Sequence, residues 1–228
     1  MPRLHGSITV FAAASLSGSF TTIARQFEQA HSGVTVVFDF GASSTLATQI
    51  DQGAPADVFA SAAPKNMDTV VMAGNALAAL TFAVNRLEIA VPPANPAHIA
   101  RLADLAAPRV KVALCQQQVP CGATAQSVFD NAKITVKPVT LEADVKSTLA
   151  KVTLGEVDAA VVYVTDVQAA GTKVVGIRIP DDVNASTAYS IARLTGSANP
   201  DLAAAFVGYV TSPAGRSVLS AAGFDTPR

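Results

Sequence analysis

Short apolar runs of strand length alternate with segments of helical periodicity along this chain, and small residues or prolines separate most of them. Residues 8–12 form the first run, and apolar residues from Leu16 to Phe27 then recur at helical spacing. Val34–Phe40 and a helix that begins near Leu46 repeat the unit. Strands spaced by helices indicate βαβ units with parallel pairing, so the sequence predicts an α/β fold.

Two series of such units predict two α/β lobes, each a mainly parallel sheet flanked by helices. We expect residues 1–83 with 191–228 in lobe I and residues 84–190 in lobe II. The chain is expected to return to lobe I near residues 187–193. Within lobe II, the pattern predicts a helix over Ala97–Ala106.

The sequence lacks the excess of basic residues that binding to nucleic acid or to an anionic membrane surface requires. Only 14% of the residues are charged, and 16 lysines and arginines balance 17 aspartates and glutamates. Half of the chain is hydrophobic, which excludes disorder, yet no apolar run approaches the ~18 residues that a membrane span needs. We therefore expect no nucleic-acid partner and no binding to anionic lipid, and any bound anion must be held by local groups.

The fingerprints of common enzyme and cofactor sites are missing from the sequence. It contains no G-x-G-x-x-G, no G-x-x-x-x-G-K-[ST] and no H-E-x-x-H. The run from Gly41 to Thr45 resembles the nucleophile elbow G-x-S-x-G, but Thr45 stands where that motif has its second glycine. His5, His31 and His98 are predicted to be solvated rather than catalytic. We expect no enzymatic activity and no cofactor.

Four predicted helices begin with small, neutral residues that carry hydrogen-bond donors: Ser15, Ser43, Cys121 and Val145. A helix N-terminus exposes unpaired N–H groups and carries roughly +0.5 of a charge, so several such ends can hold an anion. The stretches around the first three starts contain no lysine or arginine: residues 12–20, 41–49 and 119–126. Serine is also the preferred N-cap, so a cap without a ligand is the alternative at each serine.

Several motifs follow one another along nearly the whole chain, and the first and third are long and specific. They are Ile8–Leu16, Phe40–Ala47, Gly53–Ser61, Val119-Pro120-Cys121-Gly122, Glu142-Ala143-Asp144-Val145, Val162–Asp166 and Gly223-Phe224. Together they resemble the molybdate-binding proteins of bacterial ABC importers. The resemblance implies a type II periplasmic-binding-protein fold, with two crossing strands and a ligand cleft between the lobes.

The resemblance also implies a ligand and its contacts. The ligand is one molybdate or tungstate dianion, and molybdenum enters only as the oxyanion, without direct protein–metal ligands. By motif position, the donors are the hydroxyl and backbone N–H of Ser15 and Ser43, the backbone N–H groups of Cys121 and Val145, and the phenol O–H of Tyr163. A site made only of donors disfavours a protonated phosphate, whose O–H finds no acceptor. Asp144 is the nearest acceptor, and we expect it to act as an N-cap instead.

The only two cysteines, Cys115 and Cys121, are six residues apart. Cys121 stands where the family commonly has alanine, and a free thiol at a helix N-terminus would be reactive. Since paired cysteines are typical of exported proteins, we predict a Cys115–Cys121 disulfide that stiffens the anion-binding loop.

The resemblance predicts a monomeric, extracytoplasmic receptor that delivers molybdate or tungstate to a membrane permease with its ATPase and catalyses nothing. No signal-peptide h-region precedes Ile8, so export implies a leader that is absent from this sequence; lipid anchoring stays open. A receptor of the same fold for sulfate or another oxyanion is the nearer alternative, because sulfate has the same charge and shape as molybdate. A ligand-sensing effector domain or an enzyme on this fold is the more remote one.

Overall fold

The computed structural model describes residues 4–227 and divides into two compact units. Unit 1 contains the residues up to Val84 and those from Ala188 onward, and unit 2 is Asn85–Thr187. The divisions expected from the sequence lie within a few residues of these positions. Residues 1–3, part of the segment considered above for a signal peptide, lie outside the described residues. Within residues 4–227, no helix is both long enough and apolar enough to span a membrane.

Strands and helices alternate along most of the chain. Unit 1 begins with β1 (Gly6–Ala13), α1 (Ser17–Ala30), β2 (Val34–Gly41), α2 (Ser43–Asp51), β3 (Val58–Ser61), α3 (Pro64–Met72) and the first part of β4 (Leu80–Val91). Unit 2 continues with β5 (Val112–Cys115), α4 (Pro120–Ala132), β6 (Thr140–Glu142), α5 (Val145–Thr153), β7 (Ala159–Tyr163), α6 (Val164–Ala170) and β8 (Val175–Arg178). Strand β9 (Ser186–Arg193) returns to unit 1, which ends with α7 (Pro200–Thr211) and α8 (Pro213–Ala221).

The sheet of unit 1 has the order β2-β1-β3-β9. Strand β1 is parallel to both β2 and β3, and β9 is antiparallel to β3. Helices α1 and α7 cover this sheet with an aromatic cluster in which Phe206 lies 5.4 Å from Phe27 and 6.2 Å from Phe20, centroid to centroid. All three rings are buried, and each stabilises the unit by roughly 1.5–3 kcal/mol through removal of apolar surface from water.

The sheet of unit 2 contains one strand that runs against the others. Strand β5 is parallel to β6 and β7, whereas β4 is antiparallel to β7 and β8. Strands β7 and β8 are therefore parallel to each other and are joined by α6, and β4 lies between these two strands. The prediction of an α/β fold with mainly parallel sheets is confirmed, with one antiparallel strand in each unit.

The helix predicted over Ala97–Ala106 is wrong in its first half, because only Leu102–Ala106 forms a turn of 3-10 helix. Asn95 and His98 adopt left-handed conformations with φ of 41° and 55°. The Asn95 amide donates to the Ile99 carbonyl at 2.8 Å and accepts the Ile99 N–H at 3.0 Å. These side-chain hydrogen bonds replace the backbone ladder that a helix would need.

Gly122, in the first turn of α4, packs against the preceding loop. A Cβ at this position would lie 2.0 Å from the Gln116 carbonyl oxygen, which is backbone and cannot rotate away. We predict that Gly122→Ala lowers the free energy of unfolding by ~2 kcal/mol, measured by urea denaturation.

Gly208→Ala is the matched control, because Gly208 is exposed inside α7 and a Cβ there meets nothing within 4 Å. This variant should be more stable than wild type by about 0.5–1 kcal/mol, since alanine is the better helix former. Equal midpoints for Gly122→Ala and wild type would show that the loop does not pack as described.

Candidate functional site

Ser15 and Ser43 lie at the same edge of the sheet in unit 1. Ser15 is in the 3-10 turn that follows β1, and Ser43 is the first residue of α2, after β2. Strands β1 and β2 are parallel neighbours whose last residues, Ala13 and Gly41, pair with each other. Both serines are buried, with 7% and 0% of their surface exposed. Polar residues buried where parallel strands end are typical of ligand sites in α/β proteins.

Neither serine caps its helix, which excludes the alternative that the sequence left open. The residue at the N-cap of α2 is Ala42, and no side chain caps α2 or the turn that contains Ser15. The Ser43 hydroxyl accepts the Ala62 N–H at 2.9 Å, and the Ser15 hydroxyl lies 2.8 Å from the Tyr189 hydroxyl. Among the contacts described within residues 4–227, none takes the proton of the Ser43 hydroxyl. Ser43 therefore offers a buried donor.

Cys121, Val145 and Tyr163 come together at one edge of the sheet in unit 2. Cys121 is the second residue of α4, which follows β5, and Val145 is the first residue of α5, which follows β6. Tyr163 is the last residue of β7. Because β5 is parallel to both β6 and β7, all three residues lie at the carboxyl ends of adjacent strands. All three are almost completely buried.

The helix starts supply backbone donors as well. The N–H groups of a first helical turn have no acceptor within their own helix. In the described part of the chain, no hydrogen bond is found for the N–H of Ser43, Cys121 or Val145. The partial positive charge of the helix end adds to these donors, so each unit presents a neutral surface that favours an anion.

Asp144 is the N-cap of α5, as expected. Its Oδ1 accepts the Ser147 N–H at 2.9 Å, and its Oδ2 accepts the Ser147 hydroxyl at 3.1 Å. Both carboxylate oxygens therefore accept a hydrogen bond from the first turn of α5.

A disulfide joins Cys115, at the end of β5, to Cys121 in the first turn of α4. The two Cα atoms are 5.8 Å apart, a spacing typical of disulfides. Cys115 Sγ also lies 3.2 Å from Thr148 Oγ1 in α5, and the Thr148 hydroxyl donates to the Asp144 carbonyl at 2.9 Å. The starts of α4 and α5 are thus connected through one covalent bond and two side-chain contacts.

We predict that reduction of this disulfide lowers the free energy of unfolding by ~2 kcal/mol, because the bond closes a short loop in the unfolded chain. Urea denaturation with and without dithiothreitol measures the difference. Iodoacetamide treatment of unfolded, non-reduced protein serves as the control, and mass spectrometry should detect no alkylation. Two alkylated cysteines without reductant would contradict the disulfide.

A buried ion pair adjoins the donors of unit 2, and sequence analysis missed it. Lys146 Nζ lies 2.9 Å from Oδ1 of Asp166, whose side chain is completely buried. The other oxygen, Oδ2, accepts the Tyr163 N–H at 3.3 Å. Burial raises the pKa of the Asp166 carboxyl above its ordinary 3.8, and the Lys146 ammonium counteracts part of the rise. A lysine in the first turn of a helix is unfavourable without an acidic partner, and this feature of the sequence could have indicated the pair.

The three histidines are exposed to solvent or packed against an aromatic ring. His5 and His98 are exposed, and the His31 ring packs at a tilt against Phe27 at the end of α1, with 4.7 Å between ring centroids. Within residues 4–227, no group of three or more His, Cys, Asp or Glu side chains could hold a metal ion.

Comparison with known proteins agrees with this arrangement. Residues 8–225 match the family model described as bacterial extracellular solute-binding protein. The molybdate-binding protein ModA of Mycobacterium tuberculosis (strain H37Rv) is 44% identical over 97% of this chain and 85% of its own length.

Two solved structures show the fold. The periplasmic molybdate-binding protein of Azotobacter vinelandii matches with a TM-score of 0.87 and 21% identity over 97% of this chain and all of that one (100%). The sulfate-binding protein SubI of Mycobacterium tuberculosis H37Rv matches with a TM-score of 0.83 and 19% identity, over 97% and 87% of the two chains. The fold is therefore that of the periplasmic binding proteins, and it serves receptors of more than one oxyanion.

The fold and the buried donors are those of a solute-binding protein. The family model covers nearly all of the described residues. This chain belongs to the family of bacterial extracellular solute-binding proteins.

Proposed function

We propose that this protein is an extracytoplasmic receptor for molybdate and tungstate that delivers the bound anion to a membrane permease with its ATPase. The observation that carries the proposal is the 44% identity, over 97% of the chain, to a protein named for molybdate binding. The receptor acts as a monomer and catalyses no reaction, so its function is capture and release.

The donors assigned to the oxyanion are the hydroxyl and N–H groups of Ser15 and Ser43, the N–H groups of Cys121 and Val145, and the phenol of Tyr163. Their burial and their places at the carboxyl ends of parallel strands support the assignment. A fixed set of hydrogen-bond donors replaces the hydration shell of a dianion without any cation. Molybdenum is held only through its oxygens, with no protein atom bonded to the metal.

The same donors disfavour phosphate. At neutral pH phosphate carries a proton, and a site with donors alone leaves that O–H without an acceptor at a cost of about 1–3 kcal/mol. Asp144, the acidic residue next to Val145, is engaged as the N-cap of α5, where both of its oxygens accept from Ser147. Sulfate has no proton to place, so the size of the cavity must separate it from molybdate.

Isothermal titration calorimetry of ligand-stripped protein tests the proposal directly. Molybdate, tungstate, sulfate and phosphate are titrated in turn under identical buffer and salt. We expect tight one-to-one binding of molybdate and tungstate and little heat from the other two. A preference for sulfate would assign the protein to the nearer alternative, and no binding of any of the four would contradict the oxyanion receptor.

A single hydroxyl tests the assignment of the donors. Ser43→Ala removes a buried donor and should weaken molybdate binding at least tenfold, which corresponds to a loss of ~1.4 kcal/mol. Ser44→Ala is the matched control, because Ser44 is the next residue of α2 and is only partly buried. Equal molybdate affinities for the two variants, measured by calorimetry, would place the site elsewhere.

A further inference from the structure

The Lys146–Asp166 ion pair connects the two places in unit 2 where donors follow strands. Lys146 is the second residue of α5, directly after Val145, and Asp166 is the third residue of α6, which begins directly after the end of β7. We propose that this pair is a positioning device, which holds the Val145 N–H and the Tyr163 phenol in the geometry that the oxyanion requires. The inference rests on the proposed function and adds two residues to it that do not touch the ligand.

Asp166 is suited to this role because its two carboxylate oxygens have different partners. Oδ1 forms an ion pair with the Lys146 ammonium, with 2.9 Å between this oxygen and Nζ, and Oδ2 accepts the Tyr163 N–H at 3.3 Å. One rigid planar group therefore joins the first turn of α5 to the last residue of β7. A movement of either element stretches one of these two bonds.

Burial makes the Asp166 carboxylate dependent on its partner Lys146. The Asp166 side chain has no solvent exposure (0%), whereas 35% of the Lys146 side chain is exposed. A buried carboxylate is unfavourable unless it is paired and hydrogen-bonded, so removal of Lys146 leaves Asp166 without its cation.

The two charges of the pair also compensate each other beside the donors. A lone Lys146 would place a positive charge beside Val145, and a lone Asp166 would place a buried negative charge beside Tyr163. Lys146, Asp166 and Lys173 line one pocket of about 260 Å³ between α5 and α6. Lys173 therefore supplies a second positive charge in the same pocket, and no ion pair of 4 Å or less to an acidic group is described for it.

The competing explanation is that Lys146 simply attracts the anion through space. Variants that remove one charge at a time distinguish attraction from positioning. Lys146→Met removes a positive charge, whereas Asp166→Asn removes a negative one. Attraction through space predicts that the first variant weakens anion binding and the second strengthens it. Positioning predicts that both weaken it, because the asparagine side chain of the second variant has only one acceptor oxygen for the two donors that Asp166 now satisfies.

The experiment measures molybdate affinity by calorimetry and thermal unfolding of the ligand-free protein for each variant. We expect Lys146→Met and Asp166→Asn each to weaken molybdate binding on the order of tenfold, as loss of an outer-shell partner does at metal sites. Lys146→Arg should restore affinity to within about twofold of wild type, because the guanidinium also donates to a carboxylate.

Two lysines provide matched controls. Lys173→Met removes the same charge from the same pocket. Lys151→Met removes a lysine of α5 that forms a partly exposed ion pair with Glu156. Both should bind molybdate with wild-type affinity. A purely structural role for Lys146–Asp166 would lower the unfolding temperature while the affinity of the folded protein stays unchanged, and that result would overturn the proposal.

The outcomes also separate this inference from the proposed function. Stronger binding by Asp166→Asn, or equal weakening by Lys146→Met and Lys173→Met, would replace positioning with long-range attraction. Wild-type affinity in both pair variants, together with a loss in Ser43→Ala, would overturn the positioning role alone. A wild-type protein that binds no molybdate would instead contradict the proposed function, and the inference with it.

Discussion

Parallel pairing at the carboxyl edge of each sheet is the constraint on which the candidate site depends. In unit 1, the pairing of Ala13 with Gly41 brings the turns that contain Ser15 and Ser43 to one edge. In unit 2, the pairing of Cys115 with Glu142 does the same for the starts of α4 and α5. A shift in either register would separate the donors. The chain therefore uses backbone pairing, which is strong and repetitive, to place a few buried polar groups that would otherwise be unfavourable.

The charged side chains near the candidate site interact with groups of the protein itself. The oxyanion is assigned to neutral donors, and the nearby ionic side chains satisfy one another: Asp144 caps α5, and Lys146 pairs with Asp166. In this arrangement the Lys146 charge is compensated by Asp166, and the Asp144 carboxylate is engaged as the cap of α5. The disulfide between β5 and α4, together with Thr148, links the same helix starts through the interior.

Most of the fold could be predicted because hydrophobic periodicity reports local structure. The helices around Phe20 and Phe206 and the buried strands follow from it. The antiparallel position of β4 could not be predicted, since no local pattern records which strand lies between two others. The irregular segment near Asn95 was missed because its side-chain hydrogen bonds override an apparent helical spacing.

The candidate site could be predicted only in part, because sequence patterns report local structure and not contacts between distant residues. Donors at helix starts are local features, so Ser15, Ser43, Cys121 and Val145 could be proposed from position in the sequence. Tyr163 looks like an ordinary core residue, and only the resemblance indicated it. The contacts of Ser15 with Tyr189 and of Lys146 with Asp166 join residues that are distant in the chain, and they required the three-dimensional structure.

The most direct test is anomalous diffraction at the molybdenum absorption edge from crystals grown with molybdate. We predict one molybdenum peak whose oxygens lie within hydrogen-bonding distance of the Ser43 hydroxyl and of the Cys121 and Val145 N–H groups, with no protein atom bonded to the metal. A peak coordinated directly by a side chain, or located away from these donors, would contradict the account of a neutral, donor-only oxyanion site.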